Sequence, residues 1–295
     1  MKKVVVTGAG GFTGRYVVSE LKSRGYDVIE FVRKKNATGQ VECDLTDKQS
    51  VKLLFSVIRP NYVIHLAALS FVAHDDVRAF YDTNLFIALN ILEVCYELNL
   101  ELSKVIISSS ANVYGNAEVE LISESQVPAP ISHYAISKLA MEYVCKLWFD
   151  KFPILIVRPF NYTGLGQSPK FLIPKIVSHF QLRKKEIELG NLDVFRDFSD
   201  VRDVSNYYVD LLESAGQSDI VNLCSGSIYS LSFIVKKMEA ISGYEISIKA
   251  SSDFIREKEI KILGGDDSKL RNLTNRKPIF TLNETLADMY FENFK

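Results

Sequence analysis

Two periods of apolar patterning alternate through the first 160 residues. Short, almost wholly apolar runs occur at VVVT (4–7), DVIEFVR (27–33), a short stretch near 40–43, YVIHLAA (62–68), KVIISSS (104–110) and PILIVRP (153–159). Between them lie longer segments with apolar positions three and four apart, at 13–24, 47–58, 76–99 and 133–150. Runs that are apolar at nearly every position belong to strands covered on both faces, and a helix between successive strands makes them parallel. The pattern predicts an α/β fold with a doubly wound parallel sheet, whose ligands lie at the carboxyl ends of the strands.

Beyond Pro159 the alternation becomes irregular. Pro169, Pro174 and the charged run Arg183-Lys184-Lys185-Glu186 interrupt it, while DIVNLCSG (219–226) again reads as a strand and turn. This predicts a first domain over 1–160, with returns near 200–223, and a smaller appended α+β lobe over 161–295.

Composition narrows the class. In 295 residues, 35 Lys+Arg stand against 36 Asp+Glu, a net charge of -1. No basic excess exists to drive counterion release, so nucleic acid is not an expected partner. The cysteines (43, 95, 145, 224) and histidines (65, 74, 133, 179) do not cluster, so no metal site is predicted and the thiols read as reduced and buried. The amino-terminal apolar run is only three valines, too short for a signal sequence or a membrane span. A cytoplasmic protein with no membrane association is expected.

Candidate chemistry starts at TGAGGFTG, which places Gly8, Gly11 and Gly14 three residues apart between the first strand and helix. Such a turn lets the backbone approach a pyrophosphate at a helix N-terminus, marking a dinucleotide-binding (Rossmann) unit over 1–160. An NAD site usually has Asp or Glu at the end of the second strand. Here that place reads Val32-Arg33-Lys34-Lys35, and Glu30 sits two positions too early. Cations there suit a 2′-phosphate, so NADP(H) is favoured over NAD(H), with Arg33 a contact. Asp44 and Leu45, after the third strand, are placed beside the adenine.

Tyr134 and Lys138 are one helical turn apart on a predicted helix. A buried ammonium beside a phenol favours the phenolate, so the pair is expected to pass a proton near neutral pH. Ser108, Ser109 and Ser110 end the fifth strand, where a hydroxyl can polarise a carbonyl.

TGAGGFTG, HLAA (65–68), SSSANVYG (108–115) and YAISK (134–138) resemble the extended short-chain dehydrogenase/reductase family, in its nucleotide-sugar branch, over essentially the whole chain. The resemblance implies a catalytic set of Ser110, Tyr134 and Lys138, with Asn84 supporting the lysine side. It also places Phe12, Thr13, Leu66, Ala67, Ala68, Ser108 and Pro159 along the cofactor. RPFNYTGLGQSPKFLIPK (158–175) and GNLDVFRDFSDVRDV (190–204) are similar to GDP-4-keto-6-deoxy-D-mannose reductases. That similarity implies substrate contacts at Ser70, Ser110, Asn161, Arg196 and Arg256. Arg202 and Asp203 read as an exposed ion pair, and Lys175 as a solvated helix residue.

Nucleotide-sugar 4,6-dehydratases of this family carry an Asp-Glu pair after the catalytic hydroxyl, where this chain has Ala111-Asn112. The resemblance therefore implies NADPH-dependent, stereospecific reduction of the C4 ketone of a nucleotide-linked 4-keto-6-deoxyhexose. GDP is the favoured nucleotide and dTDP the next, in deoxysugar supply for surface polysaccharide. The alternatives are an NAD(P)-dependent nucleotide-sugar 4-epimerase, which SSSANVYG also resembles, and a catalytically silent NADP-binding regulator. Helices 76–99 and 133–150 lie where family members form homodimers, and Leu139, Val144, Leu147 and Trp148 supply an apolar stripe.

Overall fold

The computed structural model describes residues 2–70, 76–250 and 260–292. Its strands are β1 (Lys3–Thr7), β2 (Asp27–Val32), β3 (Gln40–Glu42), β4 (Tyr62–His65), β5 (Lys104–Ser108), β6 (Ile154–Pro159), β7 (Asn161–Thr163), β8 (Glu186–Leu189), β9 (Phe195–Asp200), β10 (Asp219–Leu223), β11 (Ile228–Ser230), β12 (Ser247–Ala250) and β13 (Ile262–Leu263). Its helices are α1 (Phe12–Ser23), α2 (Lys48–Ile58), α3 (Val77–Asn84), α4 (Phe86–Glu97), α5 (His133–Lys146), α6 (Leu172–Gln181), α7 (Val201–Glu213), α8 (Leu231–Ser242), α9 (Ser268–Thr274) and α10 (Leu282–Phe291).

Seven strands form one sheet in the order β10-β6-β5-β4-β1-β2-β3. Every pairing in it is parallel. Successive residues of each strand feed opposite faces. Val5, Val63 and Ile107 pack with Phe55 of α2, Ile91 of α4 and Met141 of α5. Val4, Val6 and Ile106 pack with Val17 and Leu21 of α1 and Val204 and Tyr208 of α7. Burial on both faces explains why these strands are unbroken apolar runs in the sequence. The winding reverses between β1 and β4, and this opens a crevice at the carboxyl edge.

The later residues build a separate core. Ile176 and Phe180 of α6 meet Ile234 and Met238 of α8 and Leu286 and Met289 of α10. Strands β11-β9-β13, with β7 on β9, and the pair β12-β8 complete this region.

The departures from the predicted elements are local. The run YVIHLAA yields a strand only as far as His65. Leu66 N still bonds Thr7 O and Ala67 N bonds Thr7 Oγ1, after which the chain leaves the sheet to line the crevice, and this keeps it apolar. The second and fifth strands likewise stop at Val32 and Ser108. The segment 76–99 is two helices joined at Leu85, although the bonds Leu85 N–Tyr81 O and Leu89 N–Leu85 O run through the join. One distorted residue barely changes which side chains face the core, so apolar periodicity does not register it. The helix expected over 133–150 ends at Lys146.

Candidate active site

The crevice at the winding reversal is a cleft of about 960 Å³. Its floor begins with the glycine turn. Gly8 has φ +69°, and a Cβ on it would lie 2.8 Å from Ala67 N. A Cβ on Gly14 would lie 2.2 Å from Gly8 O. Gly11 N closes the turn on Gly8 O at 2.9 Å. Gly11 is the N-cap of α1 and supplies no side-chain cap to the first-turn amides, and the first-turn residues Phe12, Thr13 and Gly14 line the cleft. Uncapped amides at a positive dipole end form an anion site, and the turn fits a dinucleotide pyrophosphate.

At the end of β2, Arg33 and Lys34 line the cleft while Glu30 is engaged by Lys22 at 2.6 Å. Lys35 is not part of the lining. Asp44 and Leu45 line the same end. Hydrogen bonds from Thr46 hold the Asp44 carboxyl below the usual carboxylate range, and the nearby Arg33 adds to the effect.

Ser110, Tyr134 and Lys138 line the same cleft, together with Leu66, Ala67, Ala68, Ser108 and Pro159. Ser132 accepts from Ala135 N to cap α5, setting Tyr134 and Lys138 one turn apart on its buried side. Burial pushes the Tyr134 phenol up to about 12, opposed by a hydrogen bond with Ser110. Burial also lowers the Lys138 ammonium to about 8, and its Nζ donates to Ser108 O at 2.8 Å. The expectation that Lys138 brings the phenol toward neutrality is therefore corrected: desolvation dominates, and the group opposing it is Ser110. A neutral phenol is the state that donates a proton.

Asn84 does not line the cleft. It is fully buried, accepting from Leu69 N at 2.9 Å and donating to Ser137 Oγ, next to Lys138, at 3.1 Å. Ser70 and Asn161 are on the lining. Arg196 is off it, with Nη1 donating to the carbonyls of Phe195 (2.8 Å) and Lys261 (3.2 Å). Arg256 lies outside the described residues. Arg202 and Asp203 are not paired with each other. Arg202 binds Asp200 at 2.7 Å and Asp288 at 2.8 Å, and buried Asp203 accepts from Ile279 N and Phe280 N. Lys175 is not simply solvated, since its Nζ donates to Glu188 O at 2.7 Å.

Several cleft residues had no local signal in the sequence. Tyr162 shares a 2.7 Å hydrogen bond with Thr13 Oγ1, and its ring stacks on Phe12 with centroids 6.1 Å apart. Tyr208, a core residue off the lining, donates from its OH to Oγ of the lining Ser108 at 2.9 Å. Thr83, Asn112 and Phe171 also line the cleft. Away from it, Tyr96 of α4 and Val144 of α5 border an apolar groove with Leu147, which is 77% exposed, and Trp148. Leu139 instead packs into the core. All four cysteines are buried and free. Among the described residues, no helix is long and apolar enough to cross a membrane.

The profile of the NAD dependent epimerase/dehydratase family matches residues 4–224. The chain is 35% identical over 292 residues to GDP-6-deoxy-D-talose 4-dehydrogenase of Aggregatibacter actinomycetemcomitans, covering 99% of this chain and 97% of that protein. It is 30% identical over 298 residues to GDP-6-deoxy-D-mannose reductase of Pseudomonas aeruginosa, covering 97% and 95%. Among solved structures it is similar to RMD from Pseudomonas aeruginosa complexed with NADPH. The TM-score is 0.87 with 27% identity, and 98% of each chain is covered.

Proposed function

The chain belongs to the NAD dependent epimerase/dehydratase family, and on that premise we propose that it reduces the C4 ketone of a nucleotide-linked 4-keto-6-deoxyhexose with NADPH. The observation that carries this reading is that Ser110, Tyr134 and Lys138 line one cleft, with Ala111 and Asn112 following the serine. Elimination needs carboxylates to move protons on the sugar carbons, and neither position supplies one. Both named relatives carry GDP-linked 6-deoxyhexoses in their names, which supports GDP over dTDP.

When bound, NADPH supplies the hydride. The chain's own residues do the rest. The amides of Phe12, Thr13 and Gly14 hold the pyrophosphate, and Arg33 and Lys34 the 2′-phosphate. Ser110 donates to the C4 oxygen, and the neutral Tyr134 gives that oxygen its proton. Lys138, fixed on Ser108 O, presents its remaining donors to the nicotinamide ribose. Residues from 161 onward hold the sugar nucleotide, with Asn161 and Phe171 reaching the cleft from that side.

A second reading, a 4-epimerase retaining NAD, is favoured by Asp44, whose ionised carboxylate on the cleft is an acceptor for ribose hydroxyls. One experiment separates them: the wild type with a GDP-4-keto-6-deoxyhexose and NADPH, followed by nicotinamide absorbance and product NMR. Stoichiometric NADPH oxidation with a single C4 configuration supports reduction, and Tyr134→Phe abolishes it while NADPH still binds. Interconversion of C4 epimers without net oxidation overturns reduction in favour of epimerisation.

We further propose that the groove on α4 and α5 is a homodimer face. Leu147→Glu then gives a monomer by light scattering, and an unchanged mass overturns this. The four free, buried thiols accord with a cytoplasmic location.

A further inference from the structure

Ser110 Oγ is approached twice by one neighbour. The backbone N–H of Asn112 donates to it at 3.2 Å, and the side-chain Nδ2 of Asn112 at 3.0 Å. A serine hydroxyl has two lone pairs and one proton. With both lone pairs engaged, Ser110 has no capacity left to accept, and its proton must be given away. Ser110 lines the cleft alongside Tyr134, and the cleft is where that proton can point.

We propose that Asn112 is a positioning residue that fixes Ser110 as a hydrogen-bond donor. It thereby aims the Ser110 proton into the cleft, at the carbonyl oxygen being reduced. This deepens the functional reading above and rests on it for the identity of that oxygen.

The essential property of Asn112 is its hydrogens rather than its shape. Two donors into one oxygen polarise the outgoing O–H bond, so the serine is a stronger donor than an isolated hydroxyl. A carboxylate in the same place has no proton to give. It would accept the Ser110 hydrogen bond, and the substrate oxygen would lose that donor. An aspartate, matching asparagine almost atom for atom, is thus the harsher change, and an alanine, which keeps the backbone N–H donor, the milder one.

The test is a mutant cycle measured on C4 reduction. Asn112→Ala is expected to lower kcat about tenfold. Asn112→Asp is expected to lower kcat about a hundredfold, the scale of losing an oriented donor to the reacting oxygen. KM and NADPH affinity stay unchanged in both. In a Ser110→Ala background both substitutions lose most of their effect. An Asp variant more active than the Ala variant overturns the proposal, because residue 112 would then act by filling space. So does an Asp penalty that persists in full without Ser110, because the charge would then act directly on the reacting oxygen. Absence of wild-type turnover on any 4-keto or 4-hydroxy nucleotide hexose is a failure of the functional reading instead. Neutron diffraction on the deuterated wild type then decides. A Ser110 deuteron directed into the cleft, away from Asn112, supports the orientation, and one directed at Asn112 overturns it.

Discussion

Ser109 donates a 2.5 Å hydrogen bond to Oε1 of Glu142, one turn beyond Lys138 on α5. The same carboxylate takes two hydrogen bonds from Arg158, Nε at 2.9 Å and Nη2 at 2.5 Å, and both partners are almost fully buried. Arg158 also lies over the Tyr114 ring at 4.7 Å. A buried pair adds little net stability, but removing one partner strands the other charge in a low dielectric. Arg158→Met should therefore cost about 3–5 kcal/mol in urea unfolding. The double replacement Glu142→Gln with Arg158→Met should cost clearly less, since no uncompensated charge remains. Equal losses for the single and double variants would mean that packing, not charge, sets the cost.

The glycine turn yields a sharper contrast. A methyl group on Gly14 meets backbone, 2.2 Å from Gly8 O and 2.7 Å from Ala9 Cα, and backbone cannot step aside. A methyl on Gly10 meets only the tip of Val32 at 3.3 Å. Gly14→Ala should destabilise the fold by about 2–3 kcal/mol and lose NADPH binding, measured by thermal melting and nicotinamide fluorescence. Gly10→Ala should stay within about 1 kcal/mol of the wild type in stability.

These two cases mark what was legible in the chain before its folding was known. Of the six strands of the first 160 residues, β1, β4, β5 and β6 were legible because they are buried on both faces, whereas the edge strand β3 is only half-buried and gave a short, weak run. The triad was legible because a Tyr and a Lys one turn apart need no partner to be noticed. Glu142 carried no such signal: one turn beyond Lys138 it resembles any polar helix residue, and its partner Arg158 is on strand β6. Tyr162 and Thr13 are 149 residues apart, and Tyr208 and Ser108 are 100 apart. No local pattern encodes such pairings. Arg202 and Asp203, adjacent in sequence, turn to different partners for the same reason.

The end of β2 makes cofactor choice testable. Arg33 is on the cleft lining, and the nearest acid on that strand, Glu30, is held by Lys22. A charged hydrogen bond to a 2′-phosphate is worth about 1.5–3 kcal/mol, so Arg33→Ala should raise the KM for NADPH about 10- to 100-fold. The KM for NADH should hardly move, since NADH presents no phosphate there. An equal rise for both cofactors would place Arg33 at the adenine or the fold rather than at the 2′ position.

Lys138 couples stability to function through pH. Burial lowers its ammonium from the ordinary 10.5 to about 8. Between these values the unfolded chain binds the extra proton and the folded one does not, so folding gains stability as pH rises through that window. Below pH 8 the folded protein carries a buried ammonium, and the full cost of its desolvation is present. Replacing it by a neutral side chain of similar length removes that cost, which for this shift is of the order of 3 kcal/mol. Lys138→Met should therefore melt at a higher temperature than the wild type near neutrality, with the advantage shrinking to nothing as pH rises from about 8 toward 10.5. The same variant should have lost turnover, because Met cannot donate to the ribose or to Ser108 O. In the wild type, kcat should fall as pH rises past about 8, where the ammonium deprotonates. A Met variant less stable than the wild type at pH 7 would show that the Ser108 hydrogen bond outweighs the desolvation. An alkaline limb unmoved by Lys138→Arg would assign that ionisation to another group.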